Sequence, residues 1–364
     1  MDRFTGEEER AMRRALEAAR APGVPQGPNP RVGCVILDPQ GRERARGHHR
    51  GSGTPHAETD ALARLRGRAR GATAVVTLEP CAHTGRTGPC ARALIDAGVA
   101  RVVYALADPN PVAAGGAEVL RAAGVDVAVG LLADEARDLN RGWLHGLAHG
   151  RPLVTWKLAA SLDGRLAAAD GTSQWVTSAT ARRDAQHLRA QCDAIMIGTG
   201  TALADDPSLT VRDERGVPAP RAAQPLRAVV GTRGLPHDAR LRDDAAPLVI
   251  LRGGPATGLA ELWERGVRHV LLEGGPTLAA SMVRAGLVDE VVAYVAPVLL
   301  GDGANAVHSL GLSSIDEALR LCEPEAVVLG EGAELTVRLR GRLPALGAPL
   351  TTDVVETSAP TRDK

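Results

Sequence analysis

The sequence predicts two α/β domains in tandem, and three observations carry that expectation. Strand-length apolar runs alternate with helical patterns along most of the chain, the signature of strands covered by helices. The alternation stops at Gly150, Arg151 and Pro152, a helix-ending glycine followed by a proline, and then begins again. The 364 residues also exceed what one core ordinarily serves. The expected bounds are 1–149 and 150–342, followed by a tail over 343–364 whose Pro, Thr and charge predict poor order.

In the first domain, Thr5 with Glu8 three residues on predicts a capping box for a helix burying Met12, Leu16 and Ala19. A Pro- and Gly-rich loop over 21–30 leads into a strand at 32–37, and the turn at 38–41 suggests a hairpin. Thr54 and Pro55 read as the N-cap and first residue of the next helix, whose first turn holds His56 and Glu58. A buried strand at 73–78 delivers Glu79, Pro80 and Cys81, and Cys90 opens another helical pattern. Strands at 101–106 and 125–129, a helix near 118–123 and one helix over 133–149 complete this half.

The second half repeats the scheme. Strands are expected from 153 and at 193–198, 226–230, 248–251, 267–272 and 288–298, with helices at 179–191, 256–265 and 276–285. Residues 334–340 alternate apolar and polar like a half-exposed closing strand. Each domain is expected to build a mostly parallel sheet.

Composition narrows the function classes. Lys plus Arg equals Asp plus Glu at 43 each, without a dense basic tract, so no footprint for nucleic acid is visible. Four Trp, two Tyr and one Phe supply little for a base-stacking platform. A small-molecule substrate is favoured. No unbroken apolar segment reaches membrane-spanning length, and the polar opening MDRFTGEEER predicts no signal peptide. Five cysteines, at 34, 81, 90, 192 and 322, are few and uneven for a disulfide scaffold, which points to the cytoplasm. The basic residues are nearly all Arg, with only Lys157 and Lys364 as Lys, so Lys157 marks a place where a compact ammonium is wanted.

Chemistry concentrates between His56 and Cys90. One imidazole and two thiols supply three ligands, the number typical of a catalytic zinc site, and no fourth Cys or His sits at ligand spacing nearby. Glu58 is then free to shuttle protons for water at the metal. This H-x-E followed by Pro-Cys is the pattern of zinc deaminases, although here the second thiol stands nine positions after the first. Taken singly, a His before an acid is usually a surface pair and an intracellular Cys a small buried hydrophobe. Their order around one strand favours the metal.

In the second half, Gly198, Gly200, Gly274 and Gly275 follow apolar strands, and the last two open onto a helix at Pro276, where backbone N–H groups suit phosphate. Plain turns explain such glycines equally well, and no G-x-G-x-x-G is present. Arg189 and Arg212 are candidate forks for a substrate phosphate.

NPRVGCV, PHAE, TLEPCAHTGRTGPC and DPNP in the first half, with KLAASLDGR, SQW, LRAQCDA, ADDPSLTVR and EGGPTLA in the second, resemble the bifunctional deaminase and reductase family of riboflavin biosynthesis. The resemblance covers roughly 7–340. It implies a cytidine-deaminase-like N-terminal domain and a dihydrofolate-reductase-like C-terminal domain using NADPH. The implied substrate is a diaminopyrimidinone carrying a phosphoribosylamino group, deaminated first and then reduced from ribosyl to ribityl. By matching motif, His56, Cys81 and Cys90 would bind Zn2+ and Glu58 would move the proton. The resemblance assigns Ala159, Trp175, Thr201, Asp205, Thr232 and the segment from Gly275 to NADPH, and Ser173, Arg189, Leu209, Arg212 and Glu273 to the substrate. The chain departs from the pattern at Gly27 (often His), Gly88 (usually Pro), a DPNP loop one residue short, and the 229–232 segment.

Three other readings compete. They are a deaminase acting on another base or nucleotide beside an inactive second domain, a nucleic-acid base deaminase, and a closed, non-enzymatic zinc module. A homo-oligomer is compatible with all of them.

Overall fold

The computed structural model describes residues 3–21, 23–24, 27–83 and 88–344; three positions of the 21–30 loop, the TGRT segment at 84–87 and the expected tail from 345 onward lie outside the described residues. The first sheet contains β1 (Gly33–Leu37), β2 (Glu43–His48), β3 (Thr73–Leu78), β4 (Arg101–Leu106) and β5 (Asp126–Val129), in the order β2-β1-β3-β4-β5. β3, β4 and β5 run parallel, whereas β1 is antiparallel to both β2 and β3. The sheet is therefore mixed where a mostly parallel one was expected: the 38–41 turn folds β2 back along β1, and β1 itself lies antiparallel against β3.

Alternation along the strands explains the two layers. Cys34, Ile36, Val76 and Val102 face α2 (Ala57–Arg64), α3 (Cys90–Asp96) and α4 (Gly116–Ala122), while Val35, Leu37, Val75 and Val103 face α1 (Gly6–Ala19) and α5 (Ala133–Leu139). The capping box forms as expected: Thr5 Oγ1 accepts from Glu8 N–H at 3.2 Å and Glu8 Oε2 from Thr5 N–H at 2.8 Å.

Two local expectations are corrected. α2 begins at Ala57 with His56 as its N-cap, so Thr54 closes a turn instead, donating to the Gly51 carbonyl at 2.8 Å. The single helix expected over 133–149 is two, α5 and α6 (Arg141–His149). Asn140 stands between them, and its side chain accepts from Arg31 N–H at 2.8 Å and donates to Arg31 C=O at 3.0 Å. A side chain occupied by that backbone replaces continued helix with a corner.

The second sheet holds β6 (Leu153–Ser161), β7 (Ala194–Gly198), β8 (Leu226–Val230), β9 (Leu248–Leu251), β10 (His269–Leu272), β11 (Glu290–Ala296), β12 (Cys322–Leu329) and β13 (Thr336–Arg342), ordered β12-β13-β11-β6-β10-β7-β8-β9. It is parallel from β11 to β9, and β13 is antiparallel to both its neighbours. Its helices are α7 (Ala179–Ala190), α8 (Thr199–Asp205), α9 (Pro255–Glu264) and α10 (Pro276–Arg284). β12 and α8 were not expected from the sequence. In β8, Arg227 is fully buried, and its guanidinium donates to the carbonyls of Ser208 (3.4 Å), Arg240 (3.3 Å) and Asp243 (2.8 Å), and to the Asp243 carboxylate (2.8 Å). Among the described residues, no helix is long and apolar enough to cross a membrane.

Candidate active sites

Three elements bring the expected ligands of the first domain together. His56 caps α2, Cys81 follows β3 through Glu79 and Pro80, and Cys90 is the first residue of α3. One donor atom from each lies within 4.8 Å of the other two, with His56 Nδ1 3.6 Å from Cys81 Sγ and 3.3 Å from Cys90 Sγ. Tetrahedral zinc with Zn–S about 2.3 Å and Zn–N about 2.0–2.1 Å has N···S edges of about 3.6 Å, so the donor set fits that ion. Among the described residues this is the one such His, Cys, Asp and Glu group, and no fourth protein ligand joins it.

Electrostatics agree with the geometry. A bond from the Cys90 thiol, assisted by His56 and the Cys90 N–H, lowers the Cys81 thiol to about 4 against burial, whereas its bond to Cys81 and then burial push Cys90 up. The Cys90 N–H donates to Cys81 Sγ at 3.4 Å. Glu58 is 3% exposed, and burial raises its carboxyl to about 7, a range suited to exchanging protons at neutral pH.

These groups line a cavity of about 270 Å³ that also takes in Asn29, His49, Asp108, Asn110 and Trp143. The His49 Nδ1–H donates to the Pro55 carbonyl at 3.0 Å, which leaves Nε2 to accept from the Asn29 amide at 3.0 Å. Burial lowers the His49 pKa and keeps that ring neutral. Glu79 fixes the opposite wall: Oε1 accepts from Gly115 N–H (3.2 Å) and Ala117 N–H (3.0 Å), and Oε2 from Asp108 N–H (3.2 Å). A Cβ on Gly116 would stand 1.7 Å from the Pro80 carbonyl oxygen, so only glycine lets α4 approach the ligand loop.

In the second domain Arg189, Thr201, Leu209, Glu273 and Gly275 gather near the C-terminal ends of parallel strands, where open α/β sheets bind ligands. Glu273 follows β10 and meets Arg189 of α7 in a bidentate pair, Nε–Oε1 2.6 Å and Nη2–Oε2 2.9 Å, with Lys157 Nζ of β6 at 3.8 Å. Burial raises this carboxyl, yet Arg189 and then Lys157 outweigh it and hold Glu273 at about 2. Arg189 also donates to the Thr210 carbonyl at 3.3 Å, which brings the fork beside Leu209, a buried residue with φ of 46°. Thr201 Oγ1 accepts from Gly275 N–H at 3.0 Å, joining α8 to the N-cap of α10.

Other predicted residues stand apart from that centre. Ser173 and Trp175 lie on an exposed segment, and no hydrogen bond or ion pair ties either side chain to Glu273; the Trp175 ring carries the Arg182 guanidinium at 4.5 Å. Thr232 is exposed after β8, and the Arg212 guanidinium donates to the Gly216 carbonyl at 3.1 Å. Ala159 is half-buried in β6, and burial raises the Asp205 carboxyl at the end of α8. Asn29, His49, Glu79 and Trp143 line the cavity of the first domain and carry no motif signal of their own in the sequence beyond the place of Asn29 in the PNP turn. Lys157 stands out in the composition, but the fold alone brings it to its carboxylate partner Glu273.

Comparison with known proteins completes the picture. The model of the cytidine and deoxycytidylate deaminase zinc-binding region matches residues 5–106, and that of the RibD C-terminal domain matches 152–334. Riboflavin biosynthesis protein RibD of Mycobacterium tuberculosis (strain ATCC 25618 / H37Rv) is 52% identical over 295 residues, covering 80% of this chain and 86% of its own. The Escherichia coli (strain K12) RibD is 42% identical over 352 residues, covering 86% and 94%. Among solved structures, Acinetobacter baumannii RibD, form 1, superposes with a TM-score of 0.77 at 37% identity, covering 93% of this chain and 99% of that one. The Thermotoga maritima diaminohydroxyphosphoribosylaminopyrimidine deaminase/5-amino-6-(5-phosphoribosylamino)uracil reductase gives 0.78 at 31%, covering 92% and 99%. With a zinc-site deaminase half and a reductase half in order, and relatives matched over most of their length, the chain belongs to the RibD family, zinc-dependent deaminases joined to NADPH-dependent reductases in riboflavin biosynthesis.

Proposed function

We propose that deamination takes place between His56, Cys81, Cys90 and Glu58, and reduction at the strand ends around Glu273, within domains bounded at 1–149 and 150–342. The observation that carries this reading is the convergence of one imidazole and two thiols from separate segments beside a buried carboxylate. Zinc held there supplies a Lewis acid that makes water a nucleophile at neutral pH. Glu58 takes a proton from the attacking water and passes it to the departing amine, and ammonia leaves. Asn29, oriented by the neutral His49 ring, offers the rest of its amide edge to the pyrimidine; the substrate is 2,5-diamino-6-(5-phosphoribosylamino)pyrimidin-4(3H)-one, as the Thermotoga maritima relative's name suggests.

In the reductase half, Ala159, Trp175, Thr201, Asp205, Thr232 and Gly275 contact NADPH, whose nicotinamide supplies the hydride. Support comes from the Thr201–Gly275 bond, which sets the α10 N-terminus where phosphate is favoured. Ser173, Arg189, Leu209, Arg212 and Glu273 meet the phosphorylated pyrimidine. Arg189 acts largely through Glu273, because its fork is occupied by that carboxylate.

The protein works in the cytoplasm, a placing supported by five free cysteines. It forms a homo-oligomer, supported by the edge strand β12, whose Val327 and Val328 are 37% and 62% exposed. Replacing Glu58→Gln tests the deaminase assignment. Ammonia release falls by at least about 100-fold, while zinc stays near one per chain and reduction of the deaminated ribotide continues. Ammonia release at the wild-type rate would remove Glu58 from the reaction.

A further inference from the structure

We propose that the reductase half forms the outer support of the deaminase pocket, with Trp263 and Arg268 as positioning residues for deamination. This rests on the deaminase reading above and extends it across the domain seam.

The support runs through α6 and the loop before β1. Trp143 and Leu147, one turn apart on α6, line the cavity that holds His56 and Glu58. The next stripe round the same helix carries Gly142 and Gly146, and that stripe lies directly on the second domain. A Cβ on Gly146 would stand 2.8 Å from Trp263 Cζ3 and 3.1 Å from Arg268 Cδ; one on Gly142 would stand 3.0 Å from the Arg268 carbonyl oxygen. No other residue allows so close an approach. The pocket's other outer edge, Pro28 and Asn29, follows Gly27, whose Cβ would overlap Arg268 Cγ at 2.1 Å. The wall bearing Asn29 and the wall bearing Trp143 are therefore both seated on Arg268, and the second also on the Trp263 ring that Arg268 covers.

Those side chains are themselves fixed. The Arg268 guanidinium stacks on the Trp263 ring at 3.5 Å and donates to the carbonyls of Trp263 and Val267, each at 3.1 Å, while Arg268 N–H donates to Asp193 at 2.8 Å. A wall held this rigidly sets the room left for the pyrimidine ribotide without touching the zinc ligands. Its displacement loosens substrate binding and leaves the chemical step alone.

Gly146→Ala drives a methyl group against the Trp263 ring and displaces α6. Expected is a rise of about tenfold in the deaminase KM for the diaminopyrimidine ribotide, with kcat within about twofold. Zinc remains near one per chain, and reductase kcat/KM on the deaminated ribotide is unchanged. Gly146→Ala combined with Trp263→Leu, which clears the clash, restores KM to within about threefold. An unchanged KM in Gly146→Ala, or parallel loss of both activities, overturns the proposal. Should Gly146→Ala fail to fold, Arg268→Gln carries the same test, with the same split between KM and kcat expected and the same two results overturning it. A wild-type protein that releases no ammonia from this substrate would instead sink the deaminase reading.

Discussion

Glu273→Gln removes the one negative charge from a group of three and leaves Arg189 and Lys157 as neighbouring cations, each only about a fifth exposed. The size of the effect follows from the structure. Burial raises the Glu273 carboxyl, but Arg189 and then Lys157 hold it at about 2 against an ordinary 4.5. At about 1.4 kcal/mol per pH unit, that gap corresponds to about 3 kcal/mol of stability. Breaking a buried ion pair from one side costs about 3–5 kcal/mol by a separate route, so the two estimates agree. For a domain of this size the loss lowers Tm by about 6–12 °C.

The pH dependence has a definite sign. The folded pKa lies below the unfolded one, so the contribution is complete above about pH 4.5 and fades as pH falls toward 2. Urea unfolding followed by tryptophan fluorescence at pH 7, 5 and 3.5 should show a difference between wild type and variant that is steady at the first two values and narrower at the third. NADPH oxidation with the deaminated ribotide is lost, and ammonia release stays within about twofold of wild type. A variant within about 1 kcal/mol of wild type at pH 7, or a difference that widens on acidification, would refute the reasoning.

Three further outcomes are expected. Cys90→Ser, or stripping the wild type with a chelator, removes zinc and ammonia release together while leaving NADPH oxidation on the deaminated ribotide intact; metal analysis beside both assays checks this. Thr201→Val abolishes the hydrogen bond to Gly275 N–H and raises the reductase KM for NADPH by about three- to tenfold, with deamination unaffected, as steady-state kinetics will show. Gly116→Ala, forced against the Pro80 carbonyl, destabilises the first domain by about 2–3 kcal/mol, measurable as a lower melting temperature with reduced zinc content.

How much was legible in the sequence depended on how local each signal was. The ligand block could be read because His56, Glu58, Cys81 and Cys90 carry their chemistry in residue type and spacing, and strand Thr73–Leu78 between them is a mainly apolar run buried on both faces. β12 was invisible for the opposite reason: its residues are exposed along almost its whole length, so CEPEAVVL offers no alternation. The corner at Asn140 was hidden because its cause is the backbone of Arg31, 109 positions away. Lys157 stood out by composition, but a buried cation and its carboxylate 116 positions on are joined only by the fold. The same holds for Gly142 and Gly146, whose close contacts with Trp263 and Arg268 exist only once the second domain is laid against α6.

The buried Arg227 gives the segment 206–210 of the second domain an unusual character. Its guanidinium clamps carbonyls on both sides of β8, including that of Ser208, next to Leu209 and Thr210. Opening residues 206–210 would expose buried Leu209 and break the bonds from Arg227 to the Ser208 carbonyl, from Arg189 to the Thr210 carbonyl and from Arg240 N–H to the Asp206 carboxylate, so the segment is tied down at several points. Hydrogen exchange should show the amides of this segment exchanging more slowly than those of the exposed segment around Trp175.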